Sequence, residues 1–129
     1  MLADLKNQLN TVLVDTRLAA ANFNAAVLDI QASAFQGLID FVVTAAVGTG
    51  TSPTVDGSLW TSATNNVANA GNSGIAITQV ANTNSLQVIQ LDPRNTSTNR
   101  YVFFRGFVGG TTPNVPMTVT ARGIKQVQP

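Results

Sequence analysis

Apolar and polar residues alternate with a period of two along most of this chain, in short runs. In the run 26–31, Ala26, Leu28 and Ile30 fall on one face, and the longer run 39–47 repeats the pattern with Ile39 at its start. Alternation of this kind is typical of strands that bury one face, because successive side chains of a strand point to opposite sides.

Clusters of Gly, Pro, Asn and Ser separate the runs and predict the loops. Further runs lie at 55–62, 75–81, 86–91, 100–108 and 117–122. The predicted loops lie at 48–53, 63–74, 82–85, 93–99 and 109–116. Seven or eight short strands at regular spacing predict an all-β fold, an antiparallel β-sandwich or jelly roll.

The predicted core consists of the large apolar residues that face one side of these runs. They are Leu28, Ile30, Ile39, Phe41, Val43, Trp60, Val102, Phe104, Val119 and Ile124.

The first thirteen residues follow a different period. Leu2, Leu5, Leu9, Val12 and Leu13 recur at helical spacing. The pattern predicts a short N-terminal helix or arm over 1–13, followed by the sandwich domain over 14–129. Such a helix would dock on its own domain, and an arm would pack on a neighbouring subunit; disorder is the third alternative.

The composition excludes several kinds of catalytic and metal-binding site. The chain has 129 residues, no Cys and no His, and its six acidic residues are all Asp. These absences exclude disulfides, thiolate metal sites and the Ser-His-Asp arrangement. Only 10% of the residues are charged, against roughly 25% in typical domains, while Thr, Asn, Gln and Ser make up about a third. A neutral polar surface suits a part that is built into a larger assembly.

No motif predicts catalysis. Asp56-Gly57-Ser58 resembles an aspartic-protease turn only loosely and has no second copy, so we interpret it as a turn before a strand. The Asp residues lack the spacing of a calcium loop. We therefore predict no enzyme, no catalytic or cofactor-binding residue, no metal site and no cofactor.

The charges are divided between the two ends of the chain. Residues 1–92 carry a net charge of −4 and residues 93–129 carry +5. Basic and aromatic residues alternate in 100–107, as in strands that stack nucleic-acid bases, but five cations spread over 37 residues do not favour a nucleic-acid partner. We predict instead that the basic strands lie near strands that carry Asp.

A carbohydrate-binding module would need aromatic platforms, for which the chain offers Trp60 and Tyr101.

No targeting or membrane segment is predicted. The N-terminal residues lack a basic region followed by an apolar one. The longest apolar stretch, Leu38 to Val47, is about half the length of a transmembrane helix and contains Asp40. A membrane partner is therefore not expected.

The order of several segments resembles a known family. The segments are Asn22–Ile30 (NFNAAVLDI), the apolar strand Leu38–Val47, Thr54–Ser62 (TVDGSLWTS), Asn99–Val102 (NRYV) and Met117–Ile124 (MTVTARGI). Together they resemble the jelly-roll capsid cement (decoration) proteins of tailed bacteriophages, as in the Bordetella-phage cement protein family, over residues 14–127.

The resemblance implies a non-enzymatic protein, made in the host cytoplasm, that binds the outer capsid surface of the virion. The implied partners are the major capsid protein and further copies of itself, as a homotrimer near three-fold positions, with no cofactor. Two alternatives stay open: another virion structural sandwich, such as a connector, tail or fibre-base subunit, and a carbohydrate-binding module.

Overall fold

The structure, a computed structural model, describes residues 8–25, 27–30, 35–92 and 99–125. Strands make up most of these residues, and all their pairings are antiparallel. The strands are β1 (Gln8–Ala19), β2 (Phe23–Asn24), β3 (Leu28–Asp29), β4 (Phe35–Ala45), β5 (Thr49–Ser62), β6 (Gly71–Ala76), β7 (Ser85–Leu91) and β8 (Tyr101–Lys125). A short 3₁₀ helix, Val67–Asn69, precedes β6.

The long strand β8 takes part in two layers. Its second half lies between β1 and β4, and β7 pairs with the other side of β4; we call this layer sheet A. Its first half lies between β5 and the short pair β2 and β3, and β6 pairs with the other side of β5; this layer is sheet B.

The order of pairing defines the topology. When the two halves of β8 are counted separately, and β2 and β3 together, the first strand pairs with the last, the second with the seventh, the third with the sixth and the fourth with the fifth. This is the strand order of a jelly roll, so the predicted antiparallel sandwich is confirmed.

Two predicted loops are wrong, because strand pairing continues through them. The segments 48–53 and 109–116 form an irregular ribbon, in which the start of β5 stays paired with β8 where β8 passes from sheet B to sheet A. Gly50, Ser52 and Gly110 have positive φ angles of 105°, 49° and 106°. The turn-forming residues therefore bend the two strands without ending them.

The segment 1–13 was predicted as a helix or an arm, and a helix is wrong for its second half, which belongs to β1. Leu9 pairs opposite Gly123 and Leu13 opposite Ala121, so four residue steps on β1 face two on β8. This bulge separates two apolar residues by four positions, which imitates the spacing of a helix. The first half of that segment lies outside the described residues, so the packing of an arm stays a prediction.

The core lies between the two sheets and confirms most of the predicted residues. Eight of them are buried: Leu28, Ile30, Ile39, Phe41, Val43, Val102, Phe104 and Val119. Trp60 was predicted with them, but it is only half-buried, because it lies on the opposite face of β5 from the buried Leu59. The side chain of Ile124 lies outside the described part of the chain.

Two glycines opposite each other make room for aromatic rings in this core. Gly57 on β5 pairs with Gly106 on β8. A Cβ on Gly57 would lie 2.2 Å from Phe104 Cζ, and a Cβ on Gly106 would lie 2.3 Å from Phe23 Cε1. Asp56-Gly57-Ser58 lies inside β5 and does not form the predicted turn. Its glycine is required by the packing of Phe104.

The segment 63–74, predicted as a loop, contains the start of β6. That strand is exposed along nearly its whole length, so its sequence lacks the apolar alternation from which a strand is predicted. The strand predicted at 86–91 is confirmed as β7.

Candidate functional site

Much of the outer surface of sheet A carries no charged side chain among the described residues. Cross-strand pairs place its side chains in rows, such as Thr16, Thr118, Thr44 and Leu86, each opposite the next. We call this surface the neutral face; its residues are Thr16, Leu18, Val42, Thr44, Leu86, Val88, Pro116, Thr118 and Thr120.

Large apolar side chains of the neutral face are in contact with solvent. Leu18 is 65% exposed, Leu86 69% and Val88 50%. These residues lie on the two outer strands, while the central strands carry mainly threonine. Exposed leucine and valine at both edges of an uncharged surface are typical of an interaction site.

Local sequence explains why the neutral face is regular. Threonine and valine are β-branched and favour extended backbone, and they alternate with buried residues such as Val43 and Val119. The hydroxyls of Thr44 and Thr118 hydrogen-bond to each other across the two central strands. Because these two hydroxyls already bond to each other, burying the middle of the face leaves fewer polar groups without a partner than its threonine content indicates.

One row of charged and polar residues borders the neutral face. Arg122 on β8 lies opposite Asp40 on β4, which lies opposite Gln90 on β7. The Gln90 Nε2 donates to Asp40 Oδ1 at 3.0 Å. The two opposite charges therefore occupy the two central strands at the same height.

The outer surface of sheet B has a different character. Pairing of β5 with β8 places Trp60 opposite Phe103, Ser58 opposite Arg105 and Asp56 opposite Phe107. We call the surface of Trp60, Tyr101, Phe103, Arg105 and Phe107 the arginine–aromatic face. Phe103 is only 6% exposed although it is outside the core cluster, so this face has a small packed cluster of its own.

Arg105 covers the aromatic platform that the sequence offered. Its guanidinium carbon lies 4.4 Å from the centre of the Trp60 ring and 5.8 Å from that of Phe107. Its Nε donates to Asn24 Oδ1 at 3.0 Å, and Trp60 Nε1 donates to Ser58 Oγ at 2.8 Å. Since a cation already stacks on the Trp60 ring, this arrangement does not favour a sugar or a nucleic-acid base at the same ring face.

A second arginine pairs with an aspartate at the edge of sheet B. Arg100 binds both carboxylate oxygens of Asp29, through Nε at 3.1 Å and a terminal nitrogen at 2.5 Å. Hydrogen bonding to this carboxylate raises the pKa of Arg100 above its ordinary value, against the opposing effect of desolvation. The prediction that basic strands lie near strands carrying Asp is confirmed here and at Arg122 with Asp40.

Asparagine side chains brace the loops at one end of the sandwich. Asn82 Oδ1 accepts from the Gly48 backbone N–H at 3.0 Å, and Asn84 Oδ1 accepts from Val47 at 3.1 Å. These bonds join the loop before β5 to the loop before β7; we call this end the braced end. The predicted loop 82–85 is therefore tied to the residues just before β5, whereas the loop after Ser62 lies at the opposite end of β5.

The described acidic residues are dispersed. Asp56 accepts from Gln79 Nε2 at 2.8 Å, while Asp29 and Asp40 have the partners given above. Within the described ranges, no three acidic residues lie close enough together to hold a metal ion. The predicted absence of enzyme activity, cofactor and metal stays a prediction. In the same residues, no helix is long and apolar enough to cross a membrane.

Comparison with known proteins identifies no family. No protein-family model matches the chain, and no curated protein matches it. Solved structures with a similar fold include the SPBc2 prophage-derived protein YomS, at 14% identity and a TM-score of 0.43, over 83% of this chain and 90% of that one.

Two further solved structures have a similar fold. The K3 cleaved adhesin domain of Lys-gingipain from Porphyromonas gingivalis W83 shares 15% identity over 85% of this chain and 73% of that one, with a TM-score of 0.46. A protein of the Bacillus endospore appendages, disulfide-linked pili, shares 17% identity over 93% of this chain and 94% of that one, also with a TM-score of 0.46. Sequence identity at this level carries no function from these proteins to this chain.

Proposed function

We propose that this protein is a bacteriophage capsid decoration protein that binds the outer surface of the shell and stabilises it. It is made in the host cytoplasm, associates as a homotrimer near three-fold positions and has no enzyme activity. The braced end is the surface that meets the major capsid protein. The observation that carries the proposal is this end, where polar loops are held in a fixed arrangement by asparagine side chains.

Loops that are already fixed lose less conformational entropy on binding than free loops do. A loop that is free in solution loses conformational entropy when it binds, at about 1–2 kcal/mol for each backbone residue that becomes fixed. The bonds from Asn82 and Asn84 fix part of two loops beforehand. Contacts that are individually weak then suffice, because a trimer engages several shell subunits at once and gains effective concentration.

The resemblance to cement proteins and the neutral composition support the same proposal. A decoration protein needs a rigid scaffold, an oligomer surface and polar loops, and no catalytic group. Its binding stabilises the shell by mass action, since only the assembled shell presents the complete binding site. The arginine–aromatic face, with its ring already covered by Arg105, gives no specific support to a carbohydrate-binding module.

The test is co-sedimentation of the purified protein with expanded shells of the major capsid protein encoded in the same genome. We expect saturable binding and a higher melting temperature of the decorated shell. Ala81→Glu, in an exposed loop of the braced end, should weaken binding, whereas Ala63→Glu, exposed at the opposite end, should not.

The outcomes separate the parts of the proposal. Weaker binding of only the Ala63→Glu protein would refute the assignment of the braced end and leave the decoration role intact. Failure of the wild-type protein to bind the shell would refute the decoration role. Another virion structural sandwich would then become the leading alternative.

A further inference from the structure

We propose that the neutral face is the surface through which copies of this chain associate, with Arg122 of one copy against Asp40 of the next. The occupant of the face is therefore a second copy of the same chain. This inference rests on the self-association included in the proposed function, but it requires no shell.

The positions of the two charges make the face complementary to itself. Arg122 and Asp40 lie on the two central strands of sheet A, opposite each other in the same row. A symmetry axis parallel to the strands keeps every row at its own height. Such a two-fold axis places β8 of one copy over β4 of the other, and a three-fold axis makes β8 and β4 alternate around the centre.

Each arginine then meets an aspartate of a neighbouring copy, and like charges are separated. The other rows of the neutral face bring threonine, valine and leucine into contact, with no charge to desolvate. An axis perpendicular to the strands would instead reverse the order of the rows. It would bury Arg122 and Asp40 against the row of Leu18 and Pro116, where the face offers no charged partner.

The area of the face is adequate for a stable contact. Four strands at a spacing of about 4.8 Å give a width of about 19 Å. The three rows of the neutral face and the charged row beside them, two residues apart along each strand, give a length of about 27 Å. The neutral face and the charged row together therefore measure about 500 Å², and two such surfaces bury about 1,000 Å² in total, which is near the lower limit for a specific interface.

The exposed apolar side chains supply the reason for association. Leu86 and Leu18 are each more than 60% exposed, and packing them against a second copy removes apolar area from water. Paired sheets also pack well in this arrangement, since strands of stacked sheets run within about 30° of each other.

The first test compares two valines of similar exposure. Val88, 50% exposed, belongs to the neutral face, and Val47, 55% exposed, lies in the loop between β4 and β5 outside its rows. Light scattering and sedimentation should show the full-length wild-type protein as an oligomer. Val88→Asp should raise the dissociation constant at least about tenfold, because it buries a carboxylate without a partner. Val47→Asp should leave it unchanged.

The second test exchanges the charges between copies. Asp40→Arg alone and Arg122→Asp alone should each weaken association, because every copy then carries two like charges in the row. When the two single variants are mixed, each carries the charge that the other lacks, and complexes containing both chains should form. A folding defect within one chain cannot be repaired in this way.

The outcomes decide the inference independently of the shell. A wild-type protein that stays monomeric at high concentration, or a Val88→Asp protein that associates like wild type, would overturn it. Association that depends on the neutral face, together with a failure to bind the shell, would support this inference and refute the decoration role. A dimeric mass that depends on the face would support the inference and refute the trimer.

Discussion

Replacing Gly57 by alanine tests the packing of the core more directly than shortening a large core side chain does. The substitution adds one methyl group at a point where the ideal Cβ lies 2.2 Å from Phe104 Cζ and 2.9 Å from two further ring carbons. Real Cβ atoms do not approach other atoms so closely, so either the ring or the strand must move. Phe104 is fully buried, and the Phe23 ring lies 6.3 Å away between centroids, so the ring has no open space to enter.

The magnitude follows from this confinement. Inserting a methyl group into a well-packed core costs about 1–3 kcal/mol. In a domain of this size, each kcal/mol corresponds to a change in Tm of roughly 3–5 °C. We therefore expect Gly57→Ala to lower the Tm by roughly 3–15 °C, measured by circular dichroism and checked by urea unfolding.

The control is Gly71→Ala on β6. An added Cβ at Gly71 has no atom within 4 Å, so this substitution should leave stability unchanged or raise it slightly through the unfolded state. Combining Gly57→Ala with Phe104→Leu should cost less than the sum of the two single changes, because the smaller side chain vacates the space that the methyl group needs. Equal Tm values for Gly57→Ala and Gly71→Ala would refute this account of the core.

Three further predictions concern other parts of the domain. Phe41→Ala should lower the free energy of unfolding by about 3–5 kcal/mol, since the ring is fully buried; a Tm within a few degrees of wild type would contradict its place in the core. Arg105→Ala should uncover Trp60, the chain's one tryptophan, and shift its fluorescence emission to longer wavelength; an unchanged spectrum would count against the stacking. Asp29→Asn should lower the Tm at low salt and less at high salt, because it removes the ion pair with Arg100, and a loss independent of salt would show that packing dominates.

The sandwich could be predicted because one face of most strands is apolar and because turn residues separate the strands. Turn residues do not mark the end of a strand where two paired strands bend together. The local sequence around Gly50 and Gly110 predicts a loop, yet pairing between β5 and β8 continues past both residues. Local sequence specifies the backbone angle at such positions, but it carries no information on whether a partner strand bends in the same way.

The neutral face could not be predicted as a surface, although its residues were visible in the sequence. Thr44, Thr118 and Leu86 are far apart in the chain and become neighbours only through the pairing of β4 with β7 and β8. The same holds for Trp60 and Arg105. The sequence shows one as aromatic and the other as basic, but stacking of one on the other depends on the register between β5 and β8.

The central place of β8 has a consequence for synthesis in the cell. Both sheets have β8 among their inner strands, and β1, β2, β3, β4 and β5 all pair with it. A ribosome makes this strand after the other seven, so of the strand pairs in the described residues, only β5–β6 and β4–β7 can form before β8 emerges. Pairing strands that are far apart in the sequence is slow, and incomplete chains expose unpaired strand edges that promote aggregation. Folding of this domain should therefore begin late in translation, and nascent chains that stop before Tyr101 should be sensitive to protease along their whole length.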